Sequence, residues 1–429
     1  IYYTETDQQN WGGIMRKFLT FVLVFTLVLG TIEVSAGVLT RAKVRLLERG
    51  EDIYQFIDEE YLSDGDTPYE YSKVEKMSDL ALGYLWSGTS ETTYSMLEEA
   101  GEICSSINDG FYKSLGYAKI AATYAEFMNT LGVRELAKTA ALKGVEVAEN
   151  RVYNKQEKVR LYNTFVRILL GTRYYKEANE VLATSIEEFE DVHDVYYKAV
   201  LALDLSAYVS ILKDDQQLSD ELMNIAYEKS NQMDDCYMKS RILVELADYA
   251  LIKSKDEFAI ELMDKASEAA NGVADHYYRQ KAFNKIAVQL VIMGEKEKAI
   301  NILEEECVKA ANNTVSSYHQ AISYIDIAGA YYVADNKDRA YELLAEAEES
   351  IKRIGTKYLK VLALDELFWV AYIFDDSEKA TKTNDIACIN AMNVDGYQNE
   401  TKALLTVAEN YTQLRDFDKV ELVVDEINF

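Results

Sequence analysis

Apolar positions along this chain recur with a helical period, and that recurrence is itself repeated. Between residues 321 and 354, Tyr324, Ile327, Ala328 and Tyr331 fall at i, i+3, i+4 and i+7, the stripe that one face of an α-helix buries. Asp335-Asn336-Lys337-Asp338 interrupts the stripe, and Ala340, Leu344 and Ala347 then mark a second helix. The segment before it carries Phe283, Ile286, Ala287 and Leu290, then Gly294, then Ala299 and Leu303. Leu243, Leu246, Ala247 and Ala250 lead in the same way to Ala259, Met263 and Ala266. The last such segment runs from Leu404, Val407, Ala408 and Tyr411 to Val420, Val424 and Ile427. Each segment predicts two helices joined by a short turn.

The segments return every 39 to 43 residues, each opening near a tyrosine: Tyr112, Tyr153, Tyr196, Tyr237, Tyr278, Tyr318, Tyr358 and Tyr397. Small residues recur where two helices must approach closely. Ala287, Ala328 and Ala408 do so in first helices. In second helices the series Ala137, Ala178, Ser219, Ala259, Ala299, Ala340, Ala380 and Val420 holds a step of 40 or 41. A fixed period of this size means modules that bury their apolar faces on one another, with large side chains filling the space between the small ones. The expected architecture is therefore all-α, a right-handed α-solenoid of about nine helix pairs over residues 67–429.

Ahead of the array, Ala42 to Tyr61 reads as one amphipathic helix, closed by the turn-forming Ser63-Asp64-Gly65-Asp66. Residues 37–66 thus form an N-terminal helix and turn, and Thr67-Pro68 reads as an N-cap followed by a first helical residue. Residues 15–36 have the layout of a secretory signal. Met15-Arg16-Lys17 is basic, Phe18 to Ile32 is apolar, and Val34-Ser35-Ala36 supplies small residues for cleavage. The apolar run is short for a bilayer span, which favours cleavage and export, to a periplasm or the medium, over a retained membrane anchor. On that reading no stable membrane insertion follows cleavage. Residues 1–14 precede the signal, and Trp11-Gly12-Gly13-Ile14 back-translates to a purine-rich run before the codon of Met15. They read as an upstream stretch translated by mistake, with Met15 as the start and Gly37 as the first mature residue.

Composition agrees with helices throughout: one proline, Pro68, and 19 glycines in 429 residues, the two types that helices tolerate least. The 45 basic against 73 acidic residues give a net charge of −28. Such a surface repels nucleic acid and anionic lipid and favours basic or neutral partners. Solubility is the plainer explanation of the same charge.

The Ala321–Ile354 segment, with its large–apolar–small–aromatic order and then Ala340, Leu344 and Ala347, resembles the tetratricopeptide repeat family. The resemblance spans about residues 70–429 and is best from 237 to 429. This chain departs in two ways: its repeat is longer than the family's, which is about 34 residues, and it lacks the family's proline at the repeat end. The resemblance implies a concave face built from first helices that binds extended peptides or partner helices. Carried over residue by residue, that face comprises Tyr208, Asp248, Val288, Val291, Tyr332, Asp365, Trp369 and Tyr372. Aromatic anchors beside carboxylates suit a peptide or protein bearing a basic group. The alternative is that these longer helices bury the same residues as core.

Other chemistry finds little footing. The 32 tyrosines read as packing residues whose hydroxyls reach solvent, rather than as sugar platforms. His193, His276 and His319 lie near repeat junctions, too dispersed to share a metal. Cys104, Cys236, Cys307 and Cys388 are an even set, yet the closest two are nearly two repeats apart, so they read as small buried residues rather than disulfides. No nucleophile elbow, phosphate loop, zinc-protease helix or calcium loop occurs. The pairs and runs Glu98/Glu99 and Glu304/Glu305/Glu306 read as solvated faces. No cofactor and no enzymatic activity are expected. Val423, Val424, Ile427 and Phe429, late in the last helix, read either as a face for a partner or second copy or as the edge of a truncated reading frame. The expected role is a non-catalytic, extracytoplasmic protein- or peptide-binding scaffold. Alternatives are a soluble sensor or carrier for a small ligand such as an oligosaccharide, and an envelope accessory subunit.

Overall fold

A computed structural model describes residues 68–427 apart from 87–89, 127–130 and 254. The expected signal, the upstream stretch, the helix at 42–61 and Phe429 lie outside the described residues. Every element among the described residues is helical. They are α1 (Tyr69–Trp86), α2 (Ser90–Ser106), α3 (Gly110–Glu126), α4 (Leu131–Arg151), α5 (Lys155–Gly171), α6 (Tyr175–Phe189), α7 (Val195–Leu212) and α8 (Gln216–Ser230). There follow α9 (Tyr237–Ile252), α10 (Asp256–Asn271), α11 (His276–Ile292) and α12, residues 296–313. The middle of α12, Leu303–Val308, is π-helical. The remainder are α13 (Ser317–Val333), α14 (Lys337–Lys352), α15 (Lys357–Ile373), α16 (Ser377–Ala391), α17 (Tyr397–Gln413) and α18 (Phe417–Asp425). Odd-numbered helices are first helices and even-numbered ones second helices, so nine pairs are described. The array is all-α and built of successive helix–turn–helix pairs.

The described residues fall into two compact units that part between residues 225 and 226. In the first, α1 packs on α2, α3 on α4 and α5 on α6, while α1, α3, α5 and α7 pack successively on one another. In the second, the pairs α9/α10, α11/α12, α13/α14, α15/α16 and α17/α18 form, and their first helices again pack in succession.

Local chemistry explains where each helix starts and stops. Six first helices open on a capping side chain: Asp109 accepts from Tyr112 N at 2.9 Å, and Asn154, Asp194, Cys236, Asp275 and Ser316 do the same for their own helices. The turn to the second helix is also periodic. The N–H groups of Tyr174, Lys255, Glu295, Asn336, Asp376 and Asp416 each reach a carbonyl five residues back, the mark of a Schellman stop. Such a stop needs a left-handed residue just before that N–H. Arg173, Gly294, Asp335, Asp375 and Arg415 fill the place in five of these turns, with φ between 59° and 87°. Glycine alone among these fits without strain; the others are tolerated because the turn is over-determined.

Packing follows the small residues. Ala137, Ala178, Ser219, Ala259, Ala299, Ala340, Ala380 and Val420 are all fully buried, as are Ala287, Ala328 and Ala408. Gly144 shows how close the approach becomes: a Cβ there would lie 2.2 Å from the ring of Phe165 on the next helix.

Several expectations need correction. Pro68 lies just before α1 rather than inside it, its carbonyl taking the first helical bond from Ser72 N at 3.1 Å. Val423, Val424 and Ile427 are buried within their own unit and offer no face to a partner; Phe417 and Leu422 are the exposed apolar side chains of α18. Cys104 and Cys307 are buried, as expected of small core residues, but Cys236 is half-buried and caps α9 with its sulfur, and Cys388 is half-buried. Burial pushes the Cys104 thiol up to about 12, so it stays protonated.

Candidate functional site: the first-helix face

The first turn of successive first helices in the second unit places a tyrosine at one register: Tyr237, Tyr277, Tyr318 and Tyr358, each half-buried. His319, next to Tyr318, stacks on Tyr277 with centroids 4.3 Å apart and planes 19° from parallel. One turn further along α11, the Lys281 ammonium lies 5.1 Å from the Tyr277 ring. Burial works against its charge, but the Asp326 carboxylate and the Tyr277 and Tyr237 hydroxyls outweigh burial and raise its pKa. At the same register of α9, Arg241 pairs with Glu245 at 3.4 Å, both side chains largely covered. The first unit repeats the theme, the Arg160 guanidinium sitting 5.6 Å from the Tyr197 ring. Sequence reasoning missed these cations. Their signal was present, because Arg160, Arg241, Lys281 and Lys402 share one register of the repeat.

Seven of the eight residues expected to line the face lie in the second unit, and Tyr208 lies half-buried on α7 in the first. Asp248 is buried and accepts from Gln289 Nε2 at 3.4 Å, joining α9 to α11. Asp365 is half-buried and accepts from Asn410 Nδ2 at 2.8 Å, joining α15 to α17. Val288 and Val291 are half-buried. Tyr332 stacks on Phe374 of the next pair, centroids 3.9 Å apart and planes 11° from parallel, with Lys337 Nζ 5.2 Å from its ring. Trp369 is buried and meets the Phe368 and Tyr372 rings edge-on. Burial raises the pKa of the Tyr372 hydroxyl, so it remains a neutral donor at neutral pH.

None of the eight is fully exposed. The residues therefore do two things: they tie neighbouring first helices together and leave one edge open to solvent. Trp369 and Asp248 belong to the packing side of that division. Tyr332, Tyr372, Val288 and Val291 keep an accessible edge.

Glu304 and Glu306 also turn out to be engaged. Glu304 accepts from the Tyr331 hydroxyl at 2.7 Å and pairs with Arg339, while Glu306 pairs with Arg279 at 2.8 Å. His193 and His276 are exposed. No group of three or more His, Cys, Asp or Glu residues is gathered as metal ligands among the described residues. One described helix, α7, is apolar and long enough to cross a membrane, and about half of it is buried within the fold.

No family model matches this chain, and no curated protein matches it in sequence. Solved structures with some likeness include aspartyl phosphate phosphatase F from Bacillus subtilis, at 15% identity and a TM-score of 0.36, covering 83% of this chain and 94% of that one. The quorum sensor NprR from B. thuringiensis, in its apo form, has 14% identity and a TM-score of 0.33, with 82% and 98% covered. Ton1535 from Thermococcus onnurineus NA1 has 14% identity and a TM-score of 0.30, with 83% and 98% covered. At these scores the description of the fold rests on the chain's own helix pairing.

Proposed function

We propose that this chain is a non-catalytic scaffold that binds an extended peptide, or an exposed segment of a protein, along its first helices. The observation that carries the reading is the ladder of half-buried tyrosines at one register, Tyr237, Tyr277, Tyr318 and Tyr358, interleaved with Lys281 and Arg241. Half-exposed aromatic rings on rigid helices give contact area at little entropic cost, and fixed charges beside them set orientation. The net charge of −28 favours a ligand carrying basic groups. The signal-like residues 15–36 support a role outside the cytoplasm.

The test is selection of peptides on the full chain from a displayed library, followed by affinity measurements on variants. Val288→Asp with Val291→Asp should weaken the selected peptides tenfold or more. Lys352→Ala, on an exposed second-helix position, should leave them unchanged. Equal loss with both variants, or with neither, would refute the first-helix face as the site.

A further inference from the structure

The repeat register exposes a clasp between successive second helices. Five residues after the small residue of α12 stands Glu304, which accepts from the Tyr331 hydroxyl at 2.7 Å and pairs with Arg339 of α14 at 3.1 Å. Five residues after the small residue of α16 stands Asp385. It accepts from the Tyr411 hydroxyl at 2.8 Å and pairs with Lys419 of α18 at 2.7 Å. Both clasps therefore have the same three parts, a carboxylate, a cation and a buried phenol. Between α14 and α16 the carboxylate and phenol positions are Ala345 and Ala371, and Lys379 reaches Glu348 one turn on instead.

The junction between α10 and α12 keeps two parts and lacks the third. Asp264 holds the carboxylate position and Lys298 the cation position, but the phenol position is Leu290. Lys298 turns to Glu295 of its own helix at 3.1 Å. A cleft of about 490 Å³ lies where the clasp would be, lined by Asp264, Lys298 and Leu290 together with Met263, Ile286 and Met293. That volume falls in the range of small-molecule sites.

We propose that this cleft receives the side chain of a tyrosine carried by a peptide or protein partner. The ring would pack on the half-buried Leu290, Met293 and Ile302, and the hydroxyl would donate to Asp264, as Tyr331 and Tyr411 do to their carboxylates. A phenol is the group the chain itself uses twice at this register. A residue in a chain, rather than a free phenol, suits the rim, where the exposed Ile260 adds apolar surface for the rest of a peptide. The site lies off the first-helix face, so its failure leaves the reading above untouched, and the reverse also holds.

The experiment uses N-acetyl-tyrosinamide, N-acetyl-phenylalaninamide and p-cresol as probes of the full chain, followed by NMR and calorimetry. The tyrosine amide should bind, perturbing signals from α10, α11 and α12, with the phenylalanine amide and p-cresol each several-fold to tenfold weaker. Leu290→Tyr should close the cleft and abolish binding while raising the melting temperature. Should that variant fold poorly, Asp264→Asn should still remove the preference for tyrosine over phenylalanine. No binding at millimolar probe, equal affinity for the two amides, or unchanged binding in Leu290→Tyr would overturn the assignment. Binding of p-cresol as tight as that of the tyrosine amide would overturn the peptide source.

Discussion

The α12–α14 and α10–α12 junctions share a backbone register and differ in how they are closed. In the first, the Tyr331 ring is buried and its hydroxyl ends on Glu304, which Arg339 also holds. In the second, half-buried Leu290 stands in place of that tyrosine, and an open cleft separates Asp264 from Lys298. The difference teaches that regular spacing fixes the positions of side chains, while one residue's chemistry decides whether a junction is packing or opening.

The sharpest break of this comparison removes the two equivalent side chains in turn. Tyr331→Ala should cost about 3–5 kcal/mol, because a filled site is emptied and Glu304 loses a donor. Leu290→Ala should cost about 1–2 kcal/mol, because its side chain already borders the cleft. Chemical denaturation of the full chain measures both, and equal costs would erase the distinction. Lys281→Met comes next. It should cost about 2 kcal/mol, below the range for a fully buried pair since Lys281 is half-buried, by removing the ammonium that the Asp326 carboxylate favours.

The turns give a smaller contrast within the same repeats. Gly294 sits at φ 87° with open space around it, so Gly294→Ala should cost about 1–2 kcal/mol through backbone strain alone. Asp335→Gly, at the matching position with φ 64°, should be neutral or stabilising by up to about 1 kcal/mol. A smaller effect still is that of pH on the clasp at Asp385. Burial works against that carboxylate's charge, but Lys419 and the Tyr411 hydroxyl lower its pKa overall. Its contribution is therefore present above the ordinary carboxylate value of about 3.9 and fades as pH falls through the lower folded value. Partial exposure keeps it below about 1 kcal/mol. The stability gap between the wild type and Asp385→Asn should accordingly shrink in acid. Asp264→Asn, across the open junction, should change stability by less than about 0.5 kcal/mol at any pH.

Much of the fold was legible in advance because it depends on period. The step of 40 or 41 from Ala137 to Val420 located the helix crossings, and every one of those residues is buried. Turn chemistry was half legible. Gly294 and Asp335-Asn336 marked breaks, but the left-handed Arg173 and Arg415 carry no sequence signal, since arginine has no preference for that backbone. The candidate site was less legible. The resemblance selected the first-helix face, but Trp369 and Asp248 on that face are buried. The clasps were missed since they join residues 26 or 27 and 34 or 35 apart, such as Glu304 with Tyr331 and Arg339, whose pairing appears only once the registers are superposed. The burial of Val423, Val424 and Ile427 escaped for a related reason: an apolar stripe does not say which neighbour covers it.

The most direct measurement of the binding reading is hydrogen–deuterium exchange on the full chain with and without a peptide selected on it. Protection should rise in the first helices α9, α11, α13 and α15 and change little on the solvent faces of α14 and α16. Protection confined to second helices, or none at saturating peptide, would contradict that reading.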